Sequence, residues 1–152
     1  MKITSVVVAS ILTAALFSSA SAQAPQSQTE RNKALVLDFW RVVFEAQNAE
    51  AAKNYLAEDY IQHNPNVKTG RAGFIDFFKT IWKQPKPVQA TLRNPPELVI
   101  AEGDLVALVW KRLLPEPADT TKRYEAFSFD VMRVKDGKLV EHWDSAIKNA
   151  RM

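Results

Sequence analysis

The chain contains no cysteine. Disulfides, thiol nucleophiles and thiolate metal sites are therefore excluded. It has only two histidines, His63 and His142, and neither H-x-H nor H-E-x-x-H spacing. No metal is expected from such a pattern. Charge of one sign is lacking too. The formal net charge is +3, and the basic residues are scattered rather than gathered in a stripe, which argues against a nucleic-acid partner. The longest apolar run, at about 3–17, is short of the ~20 residues that span a bilayer. There are no repeats.

What is present suits one globular domain. A chain of 152 residues, 47% apolar and 24% charged, can build a real core. Lys2 precedes the early apolar run, and Ala20-Ser21-Ala22 and Ala22-Gln23-Ala24 follow it. This is the pattern of a secretory signal peptide over 1–24, cut after Ala22 or Ala24. The mature protein is expected to be periplasmic or secreted, with no stable membrane anchor. Residues 25–28 read as a polar spacer, and 29–152 as a single domain.

Thr29 reads as a helix cap, and Leu35, Phe39, Val42, Val43 and Ala46 recur at helical spacing to about Gln47. A short second helix is expected over 50–56 and an extended piece over 59–62. His63-Asn64-Pro65-Asn66 makes a turn. A third helix is expected over 71–82, with Phe74, Phe77, Phe78, Ile81 and Trp82 grouped. From Val88 the pattern changes to strands, expected over 88–94, 98–101 and 105–114. Residues 124–146 then read as a hairpin turning at Asp136-Gly137. The plan is α+β, helices first and then an antiparallel meander.

The hairpin register decides which side chains share a face. A two-residue turn pairs Val134 with Leu139 and sets Asp130 opposite Trp143. A three-residue turn with Gly137 in a bulge pairs Val134 with Lys138 and sets Asp130 opposite His142 and Ser128 opposite Asp144. The second sorts Ser128, Asp130, Met132, Val140, His142 and Asp144 onto one face, and is favoured for that reason. The other face then carries Phe127, Phe129, Val131, Leu139 and Trp143, with Arg133 and Glu141 among them. It is apolar enough to need covering.

Two stretches resemble a known family. One is Tyr60-Ile61-Gln62-His63-Asn64-Pro65 with Gly70, Gly73-Phe74 and Phe77-Phe78. The other is Phe129-Asp130-Val131-Met132-Arg133-Val134 through Asp136-Gly137-Lys138-Leu139-Val140-Glu141-His142-Trp143-Asp144. They resemble the SnoaL-like polyketide cyclases, within the superfamily of nuclear transport factor 2 (NTF2-like) and ketosteroid isomerase. The resemblance implies a cone in which N-terminal helices pack on a strongly curved antiparallel sheet. It implies that a strand aspartate, matched by Asp144 with Asp130 as helper, acts as general acid/base in an aldol closure without metal or cofactor. It also implies pairing of two subunits through their sheets, as a homodimer.

A pocket under such a sheet would be lined by Tyr60, Gln62, His63, Asn64, Asp130, His142 and Asp144. Proton abstraction beside a carbonyl needs a base and donors for the enolate oxygen. Asp144 is the candidate base, and His142 or His63 the donor, with Asn64 or Gln62 assisting. Trp82 and Trp110 would give the pocket an apolar wall suited to a small carbonyl compound. A plainer role competes for Asp130 and His142: a cross-strand pair worth about 0.2–1 kcal/mol. Three functions follow: an aldol-type or isomerase enzyme, a non-catalytic binding module for a small molecule, or an interaction domain with its cone filled by side chains.

Overall fold

A computed structural model describes residues 26–149. The leader expected over 1–24 lies outside them. Helix α1 spans Gln28–Phe39 and continues as a π-helical turn at Trp40–Glu45, followed by a 3₁₀ turn at Ala49–Asn54. Strand β1 (Leu56–Gln62) and helix α2 (Arg71–Ile81) come next. The strands β2 (Leu98–Glu102), β3 (Leu105–Pro115), β4 (Arg123–Lys135) and β5 (Lys138–Asp144) complete the chain. Among the described residues no helix is long and apolar enough to cross a membrane.

The five strands form one open sheet in the order β1-β5-β4-β3-β2. β2 through β5 are an antiparallel meander, but β1 joins β5 in parallel. The sheet is therefore mixed, not wholly antiparallel, and the fold is α+β as expected. A parallel neighbour requires a long crossover, and here α2 and β2–β4 all lie between the two strands in sequence.

The helices cover one face. Val36, Phe39, Val43, Phe74 and Ile75 pack on Leu56, Tyr60, Val106, Leu108, Met132, Val134 and Leu139. α1 buries Val36 rather than the expected Leu35, and the Ser27 hydroxyl, not Thr29, caps it by accepting from Glu30 N at 3.2 Å. Ser27-Gln28-Thr29-Glu30 has the S-x-x-E spacing of a capping box, so the true start was written in the sequence. Among the described residues no helix covers the opposite sheet face. Leu98, Ile100, Phe127 and Phe129 are about half exposed on it.

Two expectations fail in this frame. Residues 88–94 form no strand. Their backbone groups go elsewhere: Arg93 N and Asn94 N donate to the Glu45 carboxylate at 3.0 and 2.9 Å, and Gln89 O accepts from Arg41 Nη1 at 2.6 Å. The segment is a strap fastened to the end of the first helix.

The favoured hairpin register fails as well. Asp136 and Gly137 both have positive φ, 50° and 72°, the signature of a two-residue type I′ turn. Val134 pairs with Leu139, but Arg133 pairs with Glu141, so Val140 is an extra residue in a β-bulge. The bulge resets the register. Asp130 faces Asp144, Met132 faces His142, and Leu139 turns inward and is fully buried.

Candidate functional site

Three inward side chains meet where β5 ends. Asp130 comes from β4, and His142 and Asp144 from alternate positions of β5. Their ligating atoms all lie within 4.8 Å of one another. Parallel pairing adds β1: Gln62 is registered beside His142, and His63 N bonds His142 O at 3.0 Å.

Backbone donors fix the orientation of each polar group. Asn64 N donates to Gln62 Oε1 at 2.9 Å, so that oxygen is an acceptor. The same oxygen lies 2.9 Å from His142 Nδ1, so Nδ1 carries hydrogen. Nε2 of the same ring lies 2.9 Å from Asp130 Oδ1. Both ring nitrogens therefore face oxygens, and a neutral imidazole has one N–H to give. Trp110 Nε1 donates to the other oxygen of Asp130 at 2.7 Å.

Asp144 is held by neutral donors. Asn66 N donates to Asn64 Oδ1, which turns the Asn64 amide nitrogen toward Asp144 Oδ2 at 2.6 Å. Ala146 N donates to Asp144 Oδ1 at 3.0 Å. Tyr60 is fully buried, and Gln62 Nε2 donates to its hydroxyl at 3.2 Å. Burial first, then the charges of Asp144 and Asp130, push the Tyr60 phenol well above its ordinary range. It stays a neutral donor at any physiological pH. Among the described residues every buried side-chain polar atom has a partner.

The structure thus gathers Asp130, His142, Asp144, Gln62, Asn64, Tyr60 and Trp110. It separates His63. That imidazole lies on the outer face, bonded to Glu141 at 2.8 Å and stacked on Trp143 at 5.1 Å. β1 carries alternate side chains to opposite faces, and Gln62 occupies the inner position, so its neighbour turns out. Glu141 is held below the usual carboxylate range, by His63 first and by Arg133. Trp82 stacks on Phe78 at 4.3 Å and meets Phe44 edge-on at 5.5 Å. It belongs to an aromatic group with the core, not to the polar cluster.

Asp130, His142 and Asp144 are, among the described residues, the group close enough to share a metal ion. In the arrangement seen, each is turned to a protein partner instead.

Two hollows stand out, the larger at the far end of β5 from Asp144 and the smaller beside the cluster. One, of about 510 Å³, sits between the start of α1 and the β2–β3 and β4–β5 turns, against Arg31, Asn32, Asp104 and Asp136. It holds none of the expected site residues. The other, of about 290 Å³, is floored by Trp40, Phe44 and Trp110 and rimmed by Lys86, Arg93 and Arg112. Trp110 joins it to the cluster, because the indole lines the cleft and its Nε1 holds Asp130. Sequence reasoning missed Trp40, Glu45, Arg93 and Arg112. Glu45 and Arg93 are 48 positions apart, and no local pattern links them.

A family profile described as SnoaL-like domain matches residues 36–142. No curated protein matches the chain. Solved structures share the fold at low identity. A proposed polyketide cyclase of Acidithiobacillus ferrooxidans is 21% identical, with 78% of this chain and 89% of that one covered and a TM-score of 0.53. An NTF2-like protein of unknown function from Mesorhizobium loti is 19% identical over 79% and 93%, with a TM-score of 0.52. AclR of Streptomyces galilaeus, a proposed hydroxylase, is 20% identical over 80% and 92%, with a TM-score of 0.54.

Proposed function

The chain belongs to the SnoaL-like domain family, and on that premise we propose that it is an exported acid/base enzyme, working without a cofactor on a small, largely apolar carbonyl compound. The observation that carries this reading is the 2.9 Å contact of His142 Nε2 with Asp130, with the Asp144 carboxylate facing Asp130 across the strands. An acid and a base stand side by side. Asp144 takes the proton from the carbon beside the carbonyl. The electron pair moves to the carbonyl oxygen, and the resulting enolate accepts hydrogen bonds from the His142–Asp130 pair or the Tyr60 phenol. The enolate carbon then either attacks a second carbonyl, an aldol-type closure, or is reprotonated at another position, an isomerisation. The early apolar segment and its A-x-A sites support export to the periplasm or beyond. The uncovered apolar sheet face supports a homodimer joined there.

A second reading has its own observation. Every polar atom of the cluster is already satisfied within the protein, as suits a non-catalytic module that holds a small molecule.

The deciding experiment uses the mature protein and its Asp144→Asn variant. Thermal shift and native mass spectrometry find binders among small β-dicarbonyl and hydroxy-ketone compounds. Exchange of their α-hydrogens with solvent deuterium then reads acid/base action. Exchange by wild type and not by Asp144→Asn supports the enzyme. Binding to both with exchange by neither supports the binding module.

A further inference from the structure

Beyond Asp144 the sheet narrows. β5 ends opposite Asp130, whereas β4 runs on toward Arg123, paired with β3 alone. The chain after Asp144 turns away to the 64–66 loop, where Asn66 bonds Ile147 O and Asn149 N. The inner residues of this free length of β4 are small. Ser128 is registered with Trp110 and Ala126 with Arg112. Together with Asp130 they form a furrow of short side chains, walled on the β3 side by a buried indole and closed at its far end by a guanidinium.

Charge along the furrow is uneven. The reacting end holds Asp130 and Asp144. The far end opens on the cleft of about 290 Å³, where Lys86, Arg93 and Arg112 converge. None of those three has a carboxylate within ion-pair distance among the described residues. Arg112 Nε makes only a long contact of 3.4 Å to Ser128 Oγ, which leaves the rest of its donor fork open. The one carboxylate in the lining, Glu45, is occupied by the backbone of Arg93 and Asn94. Its charge offsets one of the three cations, and Arg93 Nη2 donates to the Glu45 carbonyl at 3.2 Å, so the cleft keeps a surplus of positive charge. The floor is flat and aromatic. Trp40 stacks on Phe44 at 4.3 Å and on Trp110 at 4.8 Å. The π-helical turn Trp40–Glu45 brings the first two rings and Glu45 to this one place, and such turns are frequent at functional sites.

We propose that this cleft and furrow bind the anionic tail of the ligand, so that the molecule handled at Asp144 is an elongated oxo-carboxylate rather than a neutral ketone. The inference rests on Asp130, His142 and Asp144 being the reacting end. The backbone of Arg112 is registered four residues along the strand from the level of Asp130, roughly 13 Å at about 3.3 Å per residue, and its Nε reaches back to the level of Ser128. The carbonyl lies at the carboxylates and the hydrocarbon lies in the furrow against Trp110. The carboxylate is taken by the fork of Arg112, with Lys86 and Arg93 adding field. The arrangement also orients the substrate, because two aspartates repel an anionic tail from the reacting end and the cations hold it at the other.

The test compares 7-oxo-7-phenylheptanoate with its primary amide by titration calorimetry on mature wild type, Arg112→Gln and Arg112→Lys. Arg112 is exposed, so neither change removes core packing, and circular dichroism checks the fold. Wild type is expected to bind the acid about tenfold or more tighter than the amide, the scale of one charge-assisted hydrogen bond. Arg112→Gln should erase that preference, and Arg112→Lys should keep part of it. Equal binding of acid and amide by wild type, binding of neither, or an undiminished preference in Arg112→Gln each overturns the proposal. Deuterium exchange on the same oxo-acid keeps the two readings apart. A carboxylate preference without exchange sinks the acid/base enzyme and leaves the anion cleft standing. Exchange without the preference does the reverse.

Discussion

Asp130 and Asp144 are direct cross-strand partners on the inner face of β4 and β5. Like charges in that position destabilise a sheet, and here the donors Trp110, Asn64 and Ala146, with the His142 ring beside Asp130, offset the repulsion. The two carboxylates differ in what an amide could replace. Asp130→Asn keeps an oxygen for Trp110 Nε1 and offers an NH₂ to His142 Nε2, so every partner stays satisfied. Asp144→Asn leaves an NH₂ facing either the Asn64 amide nitrogen or Ala146 N. In urea unfolding, Asp130→Asn should equal or exceed wild type in stability, and Asp144→Asn should fall about 1 kcal/mol below it. The reverse order would contradict the assigned network.

Gln62 sets the His142 tautomer. A long-range ¹H–¹⁵N spectrum of the mature protein should show hydrogen on Nδ1 of His142. In Gln62→Leu the constraint on Nδ1 is gone, and the Nε2–H form should appear. A wild-type ring with hydrogen on Nε2 alone would contradict donation from Nδ1 to Gln62 Oε1.

Gly73 is required by a close approach. A Cβ there would meet the Lys68 carbonyl oxygen at 2.3 Å and its carbon at 2.8 Å. Neither atom can move without shifting the loop that leads into α2. Gly73→Ala should cost about 1–3 kcal/mol in the urea midpoint, with the circular dichroism of the native state unchanged.

Tyr55 donates to Asp38 Oδ2 at 2.6 Å. Burial first, then the Asp38 hydrogen bond and charge, push its phenol up to about 12. A phenol raised above its unfolded value of ~10 contributes stability that is fully present below pH 10 and is lost as pH rises through about 12. Tyr55→Phe should be less stable than wild type by about 1 kcal/mol at pH 8. The gap should close between pH 10 and 12. A gap independent of pH would show that the hydroxyl contributes nothing through this bond.

The proposed homodimer has a direct check. Mature wild type should sediment as a dimer at micromolar concentration, and Phe129→Glu, in the middle of the half-exposed outer face, should shift it to monomer. A wild-type monomer would leave the apolar face unexplained by self-association.

The sequence by itself determined the local geometry. Asp136-Gly137 specified a reversal, and alternation along β4 sent Asp130 and Met132 to one face and Phe127 and Phe129 to the other. The Phe74 and Phe78 spacing wrote α2, because a helix repeats its buried face every three or four residues. Only the tertiary structure decided the rest. A bulge at Val140 costs the local pattern nothing, yet it moved the cross-strand partner of Asp130 from Trp143, where the two-residue turn alone would set it, to Asp144. The strap over 88–94 reads as a strand until Glu45, almost half a hundred positions away, takes its donors. The parallel union of β1 with β5 joins Gln62 to His142 across a separation of 80, and so orients the imidazole on which the site turns. Periodicity reports which face a residue occupies. It carries no information about which distant strand will lie alongside, because that choice is made by the whole core closing at once.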